Sequence, residues 1–208
     1  MNHKTSPPIV LASNNAGKLQ EFADILRDVN LTIIPQSDLG VIEAEEPALS
    51  FVENAIIKAR NAAKHTGLPA LADDSGIEVD ILNGAPGVRS ARYAGGDDQH
   101  KPTAQENYQK LLNDLIATSE EERTARFQCV LVLMKHENDP SPLICQGSWE
   151  GRILFKPSGA QGFGYDPVFY VPEHGCSAAE LPSAVKNRVS HRAQAVAQLI
   201  QKLRLKIS

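Results

Sequence analysis

The sequence predicts an α/β protein with a mixed sheet and helices packed on it. Three observations predict it: short apolar strands alternate with helices in the first third of the chain, two longer strands pair later, and no linker interrupts the 208 residues. One domain spanning 1–208 is therefore expected, with two lobes and a cleft between them.

Each element has its own warrant. Ile9–Ala12 reads as a short buried strand, followed by the polar turn Ser13-Asn14-Asn15-Ala16-Gly17. Leu19, Phe22, Ala23 and Leu26 then recur at helical spacing. Thr32-Ile33-Ile34 is a second strand, closed by Pro35. Ser50 with Glu53 forms a capping box. Phe51, Ala55, Ala59, Ala62 and Ala63 supply the apolar face of the helix it starts, which ends near Gly67. Pro69–Ala72 is an extended run into Asp73-Asp74-Ser75-Gly76, and Glu78–Leu82 reads as a separate strand. The stretch 83–96 is a long loop rich in glycine and proline. A helix through Tyr108, Leu111, Leu112 and Leu115 covers about 103–117. Arg126–Met134 and Leu143–Glu150 are the paired strands, and a glycine-rich loop, Gly159–Pro167, leads into Val168–Val171. Ser190 caps a last helix carrying Ala193, Val196, Leu199, Ile200 and Leu203.

Composition narrows the function. Apolar residues are 42% and charged residues 22%, ordinary for a globular chain. The net charge of −4 disfavours phosphate-driven binding to nucleic acid. No apolar run approaches a bilayer span, and Met1–Pro8 lacks the apolar segment of a signal peptide, so no membrane partner is expected. Three scattered cysteines, Cys129, Cys145 and Cys176, argue for a reducing cytoplasm and against a zinc site.

Several groups of residues can carry chemistry. A strand, then Ser13–Lys18, then a helix makes an anion site from backbone N–H groups and one lysine; alternatively it is a capped turn with Lys18 solvated. It is not a P-loop, which needs glycine at Ala12 and Ser or Thr at Leu19. Glu45-Glu46 and Asp73-Asp74 can hold Mg²⁺ together with substrate phosphates; the plainer readings are a solvated loop and a turn. Asn54 and Lys58 share a helix face, although a helix lysine is usually solvated. Lys186, Arg188, His191 and Arg192 crowd the start of the last helix, where cations are unfavourable unless an anion or a purine oxygen is bound; a surface ion-pair cluster is the alternative. Phe163, flanked by Gly162 and Gly164, can stack on a base or merely fill a core. Met134 and Trp149 read as packing residues. His3, His65, His100, His136 and His174 show no partner pattern.

Taken in order, these segments resemble one family. Ser13–Lys18, Phe51-Val52-Glu53-Asn54-Ala55 through Lys58-Ala59, Ala72–Gly76, Gly84–Gly87 with Ser90–Tyr93, Gly162–Pro167 and Ser190-His191-Arg192 are similar to the motifs of the inosine/xanthosine triphosphate pyrophosphatases. The match spans nearly the whole chain, and six motifs in order are specific where each alone is weak. Only the first eight residues and Gly96–Pro102 carry no family signature.

The resemblance implies an elongated two-lobed α/β protein with a long mixed central sheet, a central cleft and, commonly, a homodimer. It implies Mg²⁺-dependent hydrolysis of ITP, dITP and XTP to the monophosphate and pyrophosphate. Ser13, Asn14, Asn15, Ala16, Gly17, Lys18 and Lys58 would then hold phosphates. Asp74 would be general base and metal ligand, with Glu45 or Glu46 and Asp73 assisting. Ser75, Phe163, Gly164, Tyr165, Asp166, Lys186, His191 and Arg192 would bind the nucleotide. Donors at His191 or Arg192 would accept a 6-oxo purine and reject adenine, and a donor near purine C2 would oppose guanine's amino group. A pyrophosphatase for modified pyrimidines, a nucleotide sensor and a nucleic-acid module are the rival readings.

Overall fold

The computed structural model describes residues 7–27, 29, 31–95 and 101–207. His3, His100, most of the Met1–Pro8 leader reading and most of the Gly96–Pro102 insert lie outside them.

Seven strands form one mixed sheet in the order β2-β1-β3-β4-β5-β6-β7. They are β1 (Ile9–Ala12), β2 (Ile33–Pro35), β3 (Ala70–Val79), β4 (Thr124–Met134), β5 (Leu143–Ile153), β6 (Phe169–Val171) and β7 (Cys176–Ser177). β1 pairs in parallel with both β2 and β3, whereas β5–β6 and β6–β7 are antiparallel. The helices are α1 (Ala16–Ile25), α2 (Phe51–Thr66), α3 (Ala104–Asp114), α4 (Ser183–Val189) and α5 (His191–Ile207). The expected α/β class, with a mixed sheet flanked by helices, is what the chain adopts.

The chain divides into two compact units. The first takes the chain up to Asp74, Val130–Gln146 and the stretch from Ala195 onward. Its core sets the alanine face of α2 (Ala55, Ala59, Ala62, Ala63) against Val10 and Ala12 of β1, Ala70 and Ala72 of β3, and Val130, Val132 and Met134 of β4. Small residues on both surfaces let helix and sheet approach closely. The second unit takes Ser75–Cys129 and Gly147–Gln194. Its core is bulkier: Leu111, Leu112 and Leu115 pack with Ile77, Val79, Phe127, Trp149 and Phe169.

Three expectations are corrected. Asp73-Asp74 does not close a strand, and Glu78 does not open a new one. β3 runs unbroken through all ten residues, and only Asp80–Leu82 leaves it, as a 3₁₀ turn. An Asp-Asp-Ser-Gly run reads as a turn because isolated carboxylates are not buried in strands; here ion pairs make the burial tolerable. Second, the basic residues before Ser190 do not start the last helix. Lys186 and Arg188 sit in the last turn of the separate helix α4. There the macrodipole favours cations, so for those two residues the apparent conflict disappears. Only His191 and Arg192 lie in the first turn of α5, where Ser190 Oγ accepts from the Ala193 N–H. Third, Lys58 is not solvated; it is 5% exposed.

Candidate active site

In the first unit, topology decides where chemistry sits. The chain passes from β1 to β2 on one side and returns across β1 to β3 on the other. That reversal is the switch point at which open parallel sheets leave a crevice beyond the strand ends. The register pairs Ala12, the last residue of β1, with Ala72. Asp73 and Asp74 therefore stand level with the first residues of the loop that begins at Ser13.

That loop is tied by its own side chains. Ser13 is buried, and its hydroxyl accepts from the Asn15 N–H at 3.2 Å. Asn15 is the N-cap of α1, its Oδ1 accepting from the Lys18 N–H at 3.1 Å. Asn14 Oδ1 accepts from Gln36 Nε2 at 3.1 Å. Ala16 and Gly17 open α1, so their N–H groups belong to the first turn, whose donors have no partner inside the helix.

Successive strand residues project to opposite faces, so Asp73 and Asp74 are served by different helices. Lys18 of α1 pairs with the Asp73 carboxylate, which is fully buried. Lys58 of α2 donates to Asp74 Oδ1 at 2.6 Å and to Glu46 Oε1 at 3.2 Å. Asn54, one turn before Lys58, accepts from the Ala48 N–H and donates to the Ala48 carbonyl, which holds the segment carrying Glu46. Glu45 is exposed, so the acid this cluster recruits from the pair is Glu46.

Burial is the largest influence on Asp74 and pushes its carboxyl up to about 6, with Glu46 adding repulsion, against the pull of Lys58 and Lys18. Burial acts to lower the Lys58 ammonium, but Asp74, Glu46 and Asp73 together outweigh it and hold the ammonium above its ordinary value. Three carboxylates face two lysines here, so the cluster carries surplus negative charge when all are ionised.

A divalent cation suits this donor set. Glu46 and Asp74 already bracket one positive group, the Lys58 ammonium, with oxygens at 3.2 and 2.6 Å. Hard carboxylate oxygens are what Mg²⁺ takes, usually one or two of them completed by water and substrate phosphate. Among the described residues no three His, Cys, Asp or Glu side chains form a ready-made metal cage. The donors therefore match a metal held jointly with a phosphate.

In the second unit, the loop before β6 presents Phe163. Gly162 adopts a φ of 76°, and a Cβ there would strike the Asp166 carboxylate, so glycine is required twice over. Asp166 Oδ2 accepts from the Phe163 N–H at 2.8 Å and from Lys186 Nζ at 2.5 Å. The Lys186 ammonium lies 5.0 Å from the half-buried Phe163 ring centroid, and the Arg192 guanidinium 6.0 Å. Arg192 also donates to Ser75 Oγ at 3.0 Å. The His191 ring stacks on Phe127 at 4.8 Å, with Trp149 at 6.4 Å. Gly164, at a φ of 63°, has open space on its Cβ side.

Tyr165 behaves differently from its neighbours. Its ring is in the core and its hydroxyl donates to the Ser90 carbonyl at 2.8 Å. Any contact it makes with a ligand would come from its backbone. Sequence reasoning also missed two supporting residues, Gln36 behind Asn14 and Phe127 beneath His191, and, away from the site, the structural arginine Arg123. Arg123 is 2% exposed and donates to the carbonyls of Leu115, Thr118 and Leu154. No local motif marks such residues, because their partners are distant in the chain.

Comparison with known proteins identifies the family. A model of the Ham1 family matches residues 9–202. The chain is 56% identical over 195 residues to the dITP/XTP pyrophosphatase of Vibrio parahaemolyticus, covering 94% of this chain and 96% of that one. It is 58% identical over 196 residues to the dITP/XTP pyrophosphatase of Thioalkalivibrio sulfidiphilus, covering 94% and 97%. The solved structure of a HAM1 protein from Coxiella burnetii superposes with a TM-score of 0.86 at 54% identity, covering 95% and 98%.

Proposed function

The chain belongs to the Ham1 family, and we propose that it is a nucleoside triphosphate pyrophosphatase. It hydrolyses the non-standard purine nucleotides ITP, dITP and XTP to the monophosphate and pyrophosphate. The observation that carries the reading is the pair Asp73-Asp74, buried beside the end of β1 and matched by Lys18 and Lys58 from two helices. A buried carboxylate next to an anion-binding loop is unfavourable for a binding module and useful to a hydrolase.

Asp74 is the general base. It orients a water toward the α-phosphorus and takes its proton. Lys18 and Lys58 neutralise phosphate oxygens as substrate arrives, which frees Asp74 to act on the water. The Ser13–Lys18 loop donates N–H groups to the polyphosphate. Asp74 and Glu46 would hold Mg²⁺, which when bound would supply charge neutralisation and Lewis acidity beside the phosphates. Phe163 stacks on the base, and Lys186, His191 and Arg192 supply donors that fit a 6-oxo purine. Ser75 and Asp166 hold those donors. Residues 1–208 act as one catalytic domain, in the cytoplasm and as a homodimer. The three free thiols support a reducing compartment. No described helix is long and apolar enough to cross a membrane.

A pyrophosphate-release assay over ITP, dITP, XTP, ATP and GTP, with and without Mg²⁺, tests this. The first three should be turned over and the last two refused, by about 10⁴-fold if a buried polar mismatch enforces the choice. Comparable turnover of GTP and ITP, or release of single phosphates, would overturn the reading.

A further inference from the structure

Gln36 opens the 3₁₀ turn Gln36–Leu39 that follows β2. Leu11 pairs with Pro35, so Gln36 leaves the sheet level with Ala12, just before the Ser13–Lys18 loop. Its backbone carbonyl accepts from the Val41 N–H, which fixes where the side chain starts. The side chain is 2% exposed and spans 22 residues of sequence to donate from Nε2 to Asn14 Oδ1 at 3.1 Å. A buried glutamine held in this way is not idle surface.

The polarity of that bond has a consequence. A primary amide has an acceptor end and a donor end. Tying the oxygen of Asn14 to Gln36 turns its two N–H donors away from Gln36, on an asparagine that is itself exposed. Asn15 is held the same way, its oxygen taken by the Lys18 N–H. Both asparagines thus keep their acceptors inside the loop and their donors outside it. An anion needs donors, and an amide oxygen turned outward would repel it.

We infer that Gln36 is a positioning residue: by donating to Asn14 Oδ1 it presents the Asn14 N–H groups to the polyphosphate and so sets the affinity for that end of the substrate. The inference rests on the phosphate role proposed for the Ser13–Lys18 loop. Gln36 touches no substrate; it selects which end of Asn14 does.

A double-mutant cycle on dITP hydrolysis tests both levels. Gln36→Met keeps the shape and removes the donor. Gln36→Glu also keeps the shape but can only accept when ionised, so it draws the Asn14 N–H groups inward. KM for dITP and the inhibition constant of pyrophosphate should rise in both variants, more in Gln36→Glu, by about tenfold. kcat should change little, a split that general loosening of the fold would not produce. In an Asn14→Ala background neither substitution should raise KM further. Effects that simply multiply, or a fall in kcat with KM unchanged, would overturn the inference while leaving the phosphate role intact. An unchanged KM in Asn14→Ala alone would remove the phosphate role of Asn14, and the inference with it. Should Gln36→Glu fail to fold, the Gln36→Met and Asn14→Ala cycle decides by the same criterion.

Discussion

At the scale of single residues, Asp74 carries the most consequences. Its carboxyl is raised to about 6, mainly by burial. A raised carboxyl keeps its proton in the folded state at pH values where the unfolded chain has lost it. Its contribution to stability is therefore fully present below the ordinary carboxylate range and is lost as pH rises through about 6. In chelator, unfolding titrations of the native chain and of Asp74→Asn should diverge across that window, with the native chain losing stability relative to the variant as pH increases. Parallel curves would show that the group is not raised. The same variant should lose nearly all turnover while still binding dITP; near-normal turnover would rule out the base. Arg123 makes a different prediction. It serves three backbone carbonyls from a buried position. Arg123→Met should lower stability by about 3 kcal/mol, because carbonyls left unsatisfied in the interior each cost about 1–3 kcal/mol. Denaturant unfolding measures it, and kcat per folded molecule should hold.

At the scale of elements, helices and loops owe their positions to small residues and caps. α2 begins at Ser50, whose hydroxyl accepts from the Glu53 N–H, and ends at Gly67 with a φ of 68°. The reciprocal half of the expected capping box differs: Glu53 takes the Ser50 hydroxyl at 2.5 Å. The complete box belongs instead to α3, where Thr103 and Glu106 cap each other. The alanine face of α2 lets Lys58 and Asn54 sit low against the sheet, and that is how a lysine becomes buried. The loop 159–167 is equally constrained. In Gly162→Ala the new methyl would meet the Asp166 carboxylate and a φ of 76° would be strained. Asp166 would have to release the Phe163 N–H or Lys186. KM for dITP should therefore rise severalfold, while inhibition by pyrophosphate, which has no base to place against Phe163, stays unchanged. A shift of both constants together would place the defect elsewhere.

At the scale of the whole molecule, charge balance is the test of the proposed metal. Asp73, Asp74 and Glu46 outnumber Lys18 and Lys58, and a triphosphate adds further negative charge. Chelation of divalent ions should abolish pyrophosphate release with the helical signal intact, and Mg²⁺ should restore it; release persisting in chelator would refute the metal role. Much of this was legible in the chain itself. Ile9–Ala12, the cap at Ser50 and the helix through Leu111 and Leu115 follow from local periodicity and hydrogen-bond chemistry, which a short window contains in full. The family motifs likewise stand in the sequence as residues in order. Other features had no local sign. That β3 continues through Asp73-Asp74 depends on Lys18 and Lys58, which come from other elements. That Lys58 is buried, that Glu46 rather than Glu45 joins it, and that Gln36 orients Asn14 are likewise set by pairings across the fold. Residue order determines which groups are available and where helices and strands begin. Which charges lose their water, and therefore which become chemically potent, depends on partners that only folding brings within hydrogen-bond distance.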